Sequence, residues 1–270
     1  MTPKQTTDTS ALSLPHPQLP ERPFVWFDLD DTLWDMTGNS CIALEQIFHE
    51  DPDISSAYGA AGLEAWLDEY HAVNRRLWEQ YARNEIDRAT LRLERFALPL
   101  QAAGMDRGSA EEASRRLDGD YLRRLGDCTG LVDGAREAVD ALLRAGIPMG
   151  IVSNGFREVQ YRKLASGGLD GIFSPIVLSD DAGINKPDRR FFDFACAAAG
   201  VTPDRCVIVG DNPSADIAGA LDAGWAAALW LVSPDCPADR DTEVALRADS
   251  RCTPFTSMAQ LPALIGLPQP

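Results

Sequence analysis

From residue 24 onward, short apolar runs alternate with amphipathic stretches, the order expected of βα units around a parallel sheet. The runs 24–28 (FVWFD), 147–153 (IPMGIVS), 175–178 (PIVL), 206–210 (CVIVG) and 226–232 (AAALWLV) predict five buried strands. Between them the helical period returns. Over 133–145, Ala135, Ala138, Val139, Leu142 and Leu143 form one apolar stripe that stops at Gly146.

The stretch 38–127 breaks the alternation and carries no strand signal. Leu63, Trp66, Leu67, Tyr70, Leu77 and Tyr81 fall at helical spacing. A second helix is expected to begin near Ser109, with its hydroxyl as the cap and Glu112 reaching back, and to bury Leu117, Tyr121 and Leu125. This reads as an all-helical block inserted after the first strand of an α/β domain. Residues 233–255 are polar, with Pro and Asp, and read as a surface segment; a short helix near 257–266 closes the chain. Residues 1–22, rich in Thr, Ser and Pro, read as a disordered tail. The expected division is therefore a tail (1–22), an α/β core (23–37 and 128–270) and a helical cap (38–127).

Composition narrows the function. A chain of 270 residues with 45% hydrophobic positions can bury a sizeable core, and a net charge of −16 disfavours nucleic-acid polymers and anionic membranes. The six cysteines (41, 128, 196, 206, 236 and 252) show no CxxC pair and no zinc-like spacing with His16, His49 or His71. They read as free thiols in a reducing cytoplasm. No apolar run has the roughly 18–20 residues of a membrane span, and the N-terminus lacks the apolar stretch of a secretory signal. An acidic protein that handles an anionic substrate must gather positive charge locally.

Four motifs bear on that need, each where a strand candidate ends, and ligands of open parallel sheets bind beyond those ends. The first is Asp28-Leu29-Asp30-Asp31-Thr32-Leu33, whose paired carboxylates can divide the work of nucleophile and proton donor. The second is Ser153-Asn154-Gly155, a hydroxyl and backbone N–H groups at a helix entrance, suited to phosphate. The third is Lys186 in Asn185-Lys186-Pro187-Asp188, one of three lysines against twenty-two arginines. Its compact ammonium suits a site shared by carboxylate and phosphate, and Pro187 fits the first turn of a following helix. The fourth, Gly210-Asp211-Asn212-Pro213-Ser214-Ala215-Asp216, adds two more carboxylates. So many acids in one pocket call for a cation, and oxygen donors beside phosphate point to Mg²⁺.

These residues, in this order and over essentially 24–265, resemble the haloacid dehalogenase superfamily. The resemblance implies a Rossmann-like α/β core with an inserted helical cap. It implies Asp28 as nucleophile, Asp30 as general acid and then general base, and Ser153, Asn154 and Lys186 around the phosphoryl group. Magnesium would be held by Asp28, the backbone carbonyl of Asp30, and Asp211, with Asp216 orienting water ligands or Lys186. Dehalogenating members lack an acid at the position of Asp30, so its presence favours phosphoryl transfer.

Within the insert, Glu69-Tyr70-His71-Ala72-Val73-Asn74-Arg75-Arg76-Leu77-Trp78 and the 81–86 stretch are similar to the pyrimidine 5′-nucleotidase subfamily, as is Val152-Ser153-Asn154-Gly155-Phe156. Asn74 and Arg75, polar on an otherwise apolar face, are the candidates for substrate specificity, whereas Tyr70, Leu77, Trp78 and Tyr81 read as cap core. The expected enzyme is a nucleoside 5′-monophosphatase, a monomer or homodimer acting on a small phosphate monoester. A sugar phosphatase of the N-acylneuraminate-9-phosphatase type and a catalytically silent binding protein on the same fold are the alternatives.

Overall fold

The computed structural model describes residues 18–233 and 236–268. Six parallel strands form one sheet in the order β3-β2-β1-β4-β5-β6. They are β1 (Phe24–Phe27), β2 (Met149–Ser153), β3 (Ile176–Leu178), β4 (Cys206–Gly210), β5 (Ala227–Leu231) and β6 (Cys252–Phe255). The first five coincide with the apolar runs. The order reverses direction beside β1, so the crevice between neighbouring crossovers opens at its C-terminal end.

Alternate strand residues face opposite sides of the sheet. Val25, Phe27, Val207 and Val209 join one apolar layer, and Phe24, Trp26, Ile208 and Trp230 join the other. Both faces are covered, which is why the strands read as unbroken apolar runs.

Helices α1 (Met36–Glu50), α2 (Pro52–Tyr58), α3 (Gly62–Ala82), α4 (Arg88–Ala102) and α5 (Arg107–Asp127) lie between β1 and the next core helix, α6 (Ala135–Arg144). Then follow α7 (Arg157–Ser166), α8 (Ser179–Ala182), α9 (Arg189–Ala199), α10 (Gly219–Asp222), α11 (Arg240–Ala248) and α12 (Leu261–Leu264). Inside the insert, Trp66, Tyr70, Phe96 and Tyr121 pack ring on ring, with Tyr70 5.0 Å from Phe96 and 5.7 Å from Tyr121. That aromatic cluster belongs to the same apolar layer as Val25 and Phe27 of the sheet.

The structure corrects several expectations. Residues 233–255 are not merely a surface segment: they hold α11 and the edge strand β6, where Pro254, with no N–H to donate, is tolerated. Of the tail expected over 1–22, residues 1–17 lie outside the described residues. Beyond them Leu19 already packs on the core, and the Arg22 carbonyl accepts from the Arg205 guanidinium at 3.0 and 3.1 Å. Leu143 is 51% exposed, because it lies about 80° around α6 from Ala135, at the edge of the stripe. The cap of α5 is Asp106, which accepts from the Ser109 N–H at 3.1 Å; Ser109 is the capped residue. Likewise Asp188 caps α9, so Pro187 stands outside that helix, after a cis peptide bond to Lys186.

Candidate active site

β1 ends at Phe27 and the chain turns at once. The N–H groups of Leu33 and Trp34 both donate to the Leu29 carbonyl, at 3.0 and 2.9 Å. Asp31 adopts φ 55°, a left-handed conformation that Asp tolerates better than most residues. Its carboxylate accepts from the Thr37 N–H (2.8 Å) and hydroxyl (3.0 Å), so it serves the loop. This tight turn leaves Asp28 over the strand ends, with its N–H bonded to the Val209 carbonyl at 2.9 Å.

Lys186 arrives from the loop after β3. Its ammonium donates to Asp28 Oδ1 (2.6 Å), Asp216 Oδ1 (2.6 Å) and the Val152 carbonyl (2.9 Å), which uses all three protons. Burial alone would lower its pKa, but Asp216 and Asp28 hold it above the ordinary lysine range. Asn154 braces the same loop: its amide donates to the Lys186 carbonyl (3.0 Å) and accepts the Lys186 N–H (2.8 Å). The Asn154 side chain is therefore committed to positioning Lys186.

Asp211 follows β4. It accepts from the Thr32 hydroxyl at 3.3 Å, and its carbonyl takes the Trp230 indole N–H at 3.1 Å. A short π-helical turn, Pro213–Ala218, then brings Asp216 inward, and its Oδ2 accepts the Asn212 N–H at 3.1 Å. A side chain at Gly210 would collide with that carboxylate, its Cβ falling 2.6 Å from Oδ2. Glycine is needed there for close approach.

One carboxylate oxygen from each of Asp28, Asp211 and Asp216 lies within 4.8 Å of the others, and all three residues are buried. Burial pushes Asp28 up to about 8 against the pull of Lys186, with Asp216 and Asp30 adding to the rise. Burial, then Asp216 and Asp28, hold Asp211 well above the carboxylate range. Three buried carboxylates thus share one ammonium. Such an oxygen-rich, charge-deficient set fits a hard divalent cation.

Asp30 sits apart from this cluster. Its Oδ1 accepts from the Lys163 ammonium at 2.5 Å, and its Oδ2 from the Gln160 amide at 2.9 Å. Ser153 ends β2, and its Oγ accepts from the Gly155 N–H (3.1 Å) and from Gln160 (2.7 Å). Gln160 and Lys163 were missed in the sequence. The available signals were the scarcity of lysine and two polar residues three apart on a helix face that proves buried.

Helices α3 and α4 meet the core near Phe156 and Glu158. Trp78 and Tyr81 pack on a small cluster that joins Val73, Leu77 and Leu91 of the insert to Phe156, which they meet at 5.3 and 5.7 Å, and so they tie α3 to the loop after Ser153. Arg88 adds to the seam, stacking over Phe156 at 4.1 Å and pairing with Glu158 and Asp180. Of the two specificity candidates, Asn74 has a buried Oδ1 with no hydrogen-bond partner among the described residues, and Arg75 is exposed. Burial raises the Cys236 thiol to about 12; Asp211, Asp216 and Asp31 push the same way, and Arg75 opposes them. His71 faces Cys41 at 3.5 Å, away from any metal set. No helix among the described residues is long and apolar enough to cross a membrane.

The family model for haloacid dehalogenase-like hydrolases matches residues 25–224. The pyrimidine 5′-nucleotidase YjjG of Escherichia coli is 30% identical over 77% of this chain and 85% of its own length. The pyrimidine 5′-nucleotidase PynA of Streptococcus pneumoniae is 28% identical over 74% and 80%. A solved structure of the putative HAD-hydrolase YfnB of Bacillus subtilis, bound to magnesium, has a TM-score of 0.73 at 22% identity, covering 91% of this chain and 99% of that one. It shares the fold.

Proposed function

We propose that this chain, which belongs to the haloacid dehalogenase-like hydrolases, is a magnesium-dependent phosphatase acting on pyrimidine nucleoside 5′-monophosphates. The observation that carries the reading is the buried pair of ion pairs from Lys186 to Asp28 and Asp216, with Asp211 beside them. Asp28, Asp211 and the Asp30 backbone carbonyl would hold Mg²⁺, which when bound supplies the positive charge that a phosphate dianion and these acids require. Asp216, both of whose oxygens are already engaged, is the brace of Lys186.

In the first half-reaction an Asp28 oxygen attacks phosphorus, the bond from phosphorus to the ester oxygen breaks, and Asp30 gives that oxygen its proton. Lys186 offsets charge on the phosphoryl oxygens throughout. The Ser153 hydroxyl, both acceptor positions filled by N–H groups, is left to donate to the same oxygens. In the second half, Asp30 takes a proton from water, the water oxygen bonds to phosphorus, and the aspartyl-phosphate bond breaks to release phosphate.

The nucleotide preference draws support from the two nucleotidase relatives and from α3. There a buried unpaired acceptor on Asn74 calls for a donor such as a pyrimidine imide N–H, and Arg75 adds charge. Cysteines that form no disulfide among the described residues suit a reducing cytoplasm, and the enzyme would work there as a monomer or homodimer. The test is a panel of nucleoside monophosphates, sugar phosphates including N-acylneuraminate 9-phosphate, and an aryl phosphate, each with magnesium and with excess chelator. Pyrimidine nucleotides are expected to lead, and only with magnesium. A leading sugar phosphate would reassign the substrate, and full activity in chelator would overturn the mechanism.

A further inference from the structure

We propose that Gln160 and Lys163, on one face of α7, are positioning residues that aim the Asp30 carboxylate and the Ser153 hydroxyl at the substrate. The proposal rests on the phosphatase reading and assigns two residues to it that none of the motifs contains.

Both side chains are buried, Gln160 completely. They stand three apart on a helix, so one rigid face presents both. Together they engage both oxygens of Asp30, which is 130 and 133 residues away in sequence. An acid that must reach a leaving oxygen gains from being held in one orientation, since small misplacements are costly in rate.

Gln160 does a second job with its other amide proton. It donates to Ser153 Oγ at 2.7 Å while the Gly155 N–H donates at 3.1 Å. With two donors on its oxygen, the serine can only donate onward. Without Gln160 that hydroxyl is free to turn. The Gly155 of the Ser-Asn-Gly motif is explained by the same amide, because a Cβ there would fall 2.3 Å from Gln160 Cδ.

Lys163 is itself fixed. Its ammonium lies 5.0 Å from the centre of the Trp34 ring and 3.4 Å from Met36 Sδ. Trp34 and Met36 flank the loop that carries Asp30. The lysine thus ties α7 to the one loop whose geometry sets both reactive carboxylates.

The experiment compares Lys163→Met, Gln160→Met and Asp30→Asn by kcat/KM on uridine 5′-monophosphate and on 4-nitrophenyl phosphate. The second substrate has a leaving group that departs without a proton. Lys163→Met is expected to lose about 10- to 100-fold on the nucleotide and less than about threefold on the aryl ester. Magnesium affinity by calorimetry should be unchanged, and Lys163→Arg should recover part of the nucleotide rate. Gln160→Met should show the same bias and also raise KM for both substrates through Ser153. Equal losses on both substrates, or none, in Lys163→Met and Gln160→Met while Asp30→Asn is biased would overturn this proposal alone. An unbiased Asp30→Asn would remove the acid role and the proposal with it. Should Lys163→Met fail to fold, Gln160→Met decides the matter by the same ratio.

Discussion

Asp28 and Asp30 are two residues apart on one loop, yet each has its own lysine and a different setting. Asp28 has a side chain only 10% exposed, shares Lys186 with Asp216, and has Asp211 close by. Asp30 is 31% exposed, keeps Lys163 to itself and adds a neutral amide. The first setting has a surplus of negative charge that a metal can offset; the second is balanced and open to the substrate. A tight turn is enough to separate the two environments. In the proposed mechanism, nucleophile and proton carrier are then neighbours that do not compete for one cation.

Breaking the first setting should have the largest effect. Asp28→Asn is expected to lower kcat by roughly 10⁴-fold or more on every substrate while the fold persists, as circular dichroism and melting would verify. Near-normal turnover in a contaminant-free preparation would end the covalent mechanism. Asp30→Asn should separate substrates, costing about 10²- to 10⁴-fold on a nucleotide and far less on an aryl phosphate in kcat/KM.

Lys186→Met should cost about 10²- to 10³-fold in kcat. It should also lower stability by about 3–5 kcal/mol, since it leaves Asp28 and Asp216 buried without a counter-ion. Added magnesium should restore part of that stability in denaturant melts, by binding the folded state only. If magnesium leaves the melt unchanged, the surplus-charge account of this setting is wrong. The smallest change belongs to the insert. Asn74→Ala or Arg75→Ala should raise KM for nucleotides by about ten- to a hundredfold and leave a small aryl phosphate untouched. Neutrality toward every nucleotide would bring the sugar-phosphate reading level.

Much of the fold was legible in the sequence. Strands buried on both faces are written as apolar runs, and β1 to β5 could be read directly. β6 escaped because CTPF is short, carries a proline and lies at the sheet edge, where one neighbour suffices. Helix caps were less legible than helices. Asp106 and Ser109 are both good caps, and only the backbone geometry chose between them.

The site divides in the same way. Asp28 and Asp211 directly follow strands, Ser153 ends one, and Lys186 comes soon after another, past the one-turn helix α8, so a parallel sheet sets all four near its strand ends. That much the sequence determined alone. The commitment of Asn154 to Lys186, the docking of Trp78 and Tyr81 on Phe156, and the grip of Gln160 and Lys163 on Asp30 were decided only by tertiary structure. The physical reason is that strand-end positions follow from local chain direction. Which face of a helix meets which loop depends instead on rotations and contacts between segments that are 32 to 133 residues apart.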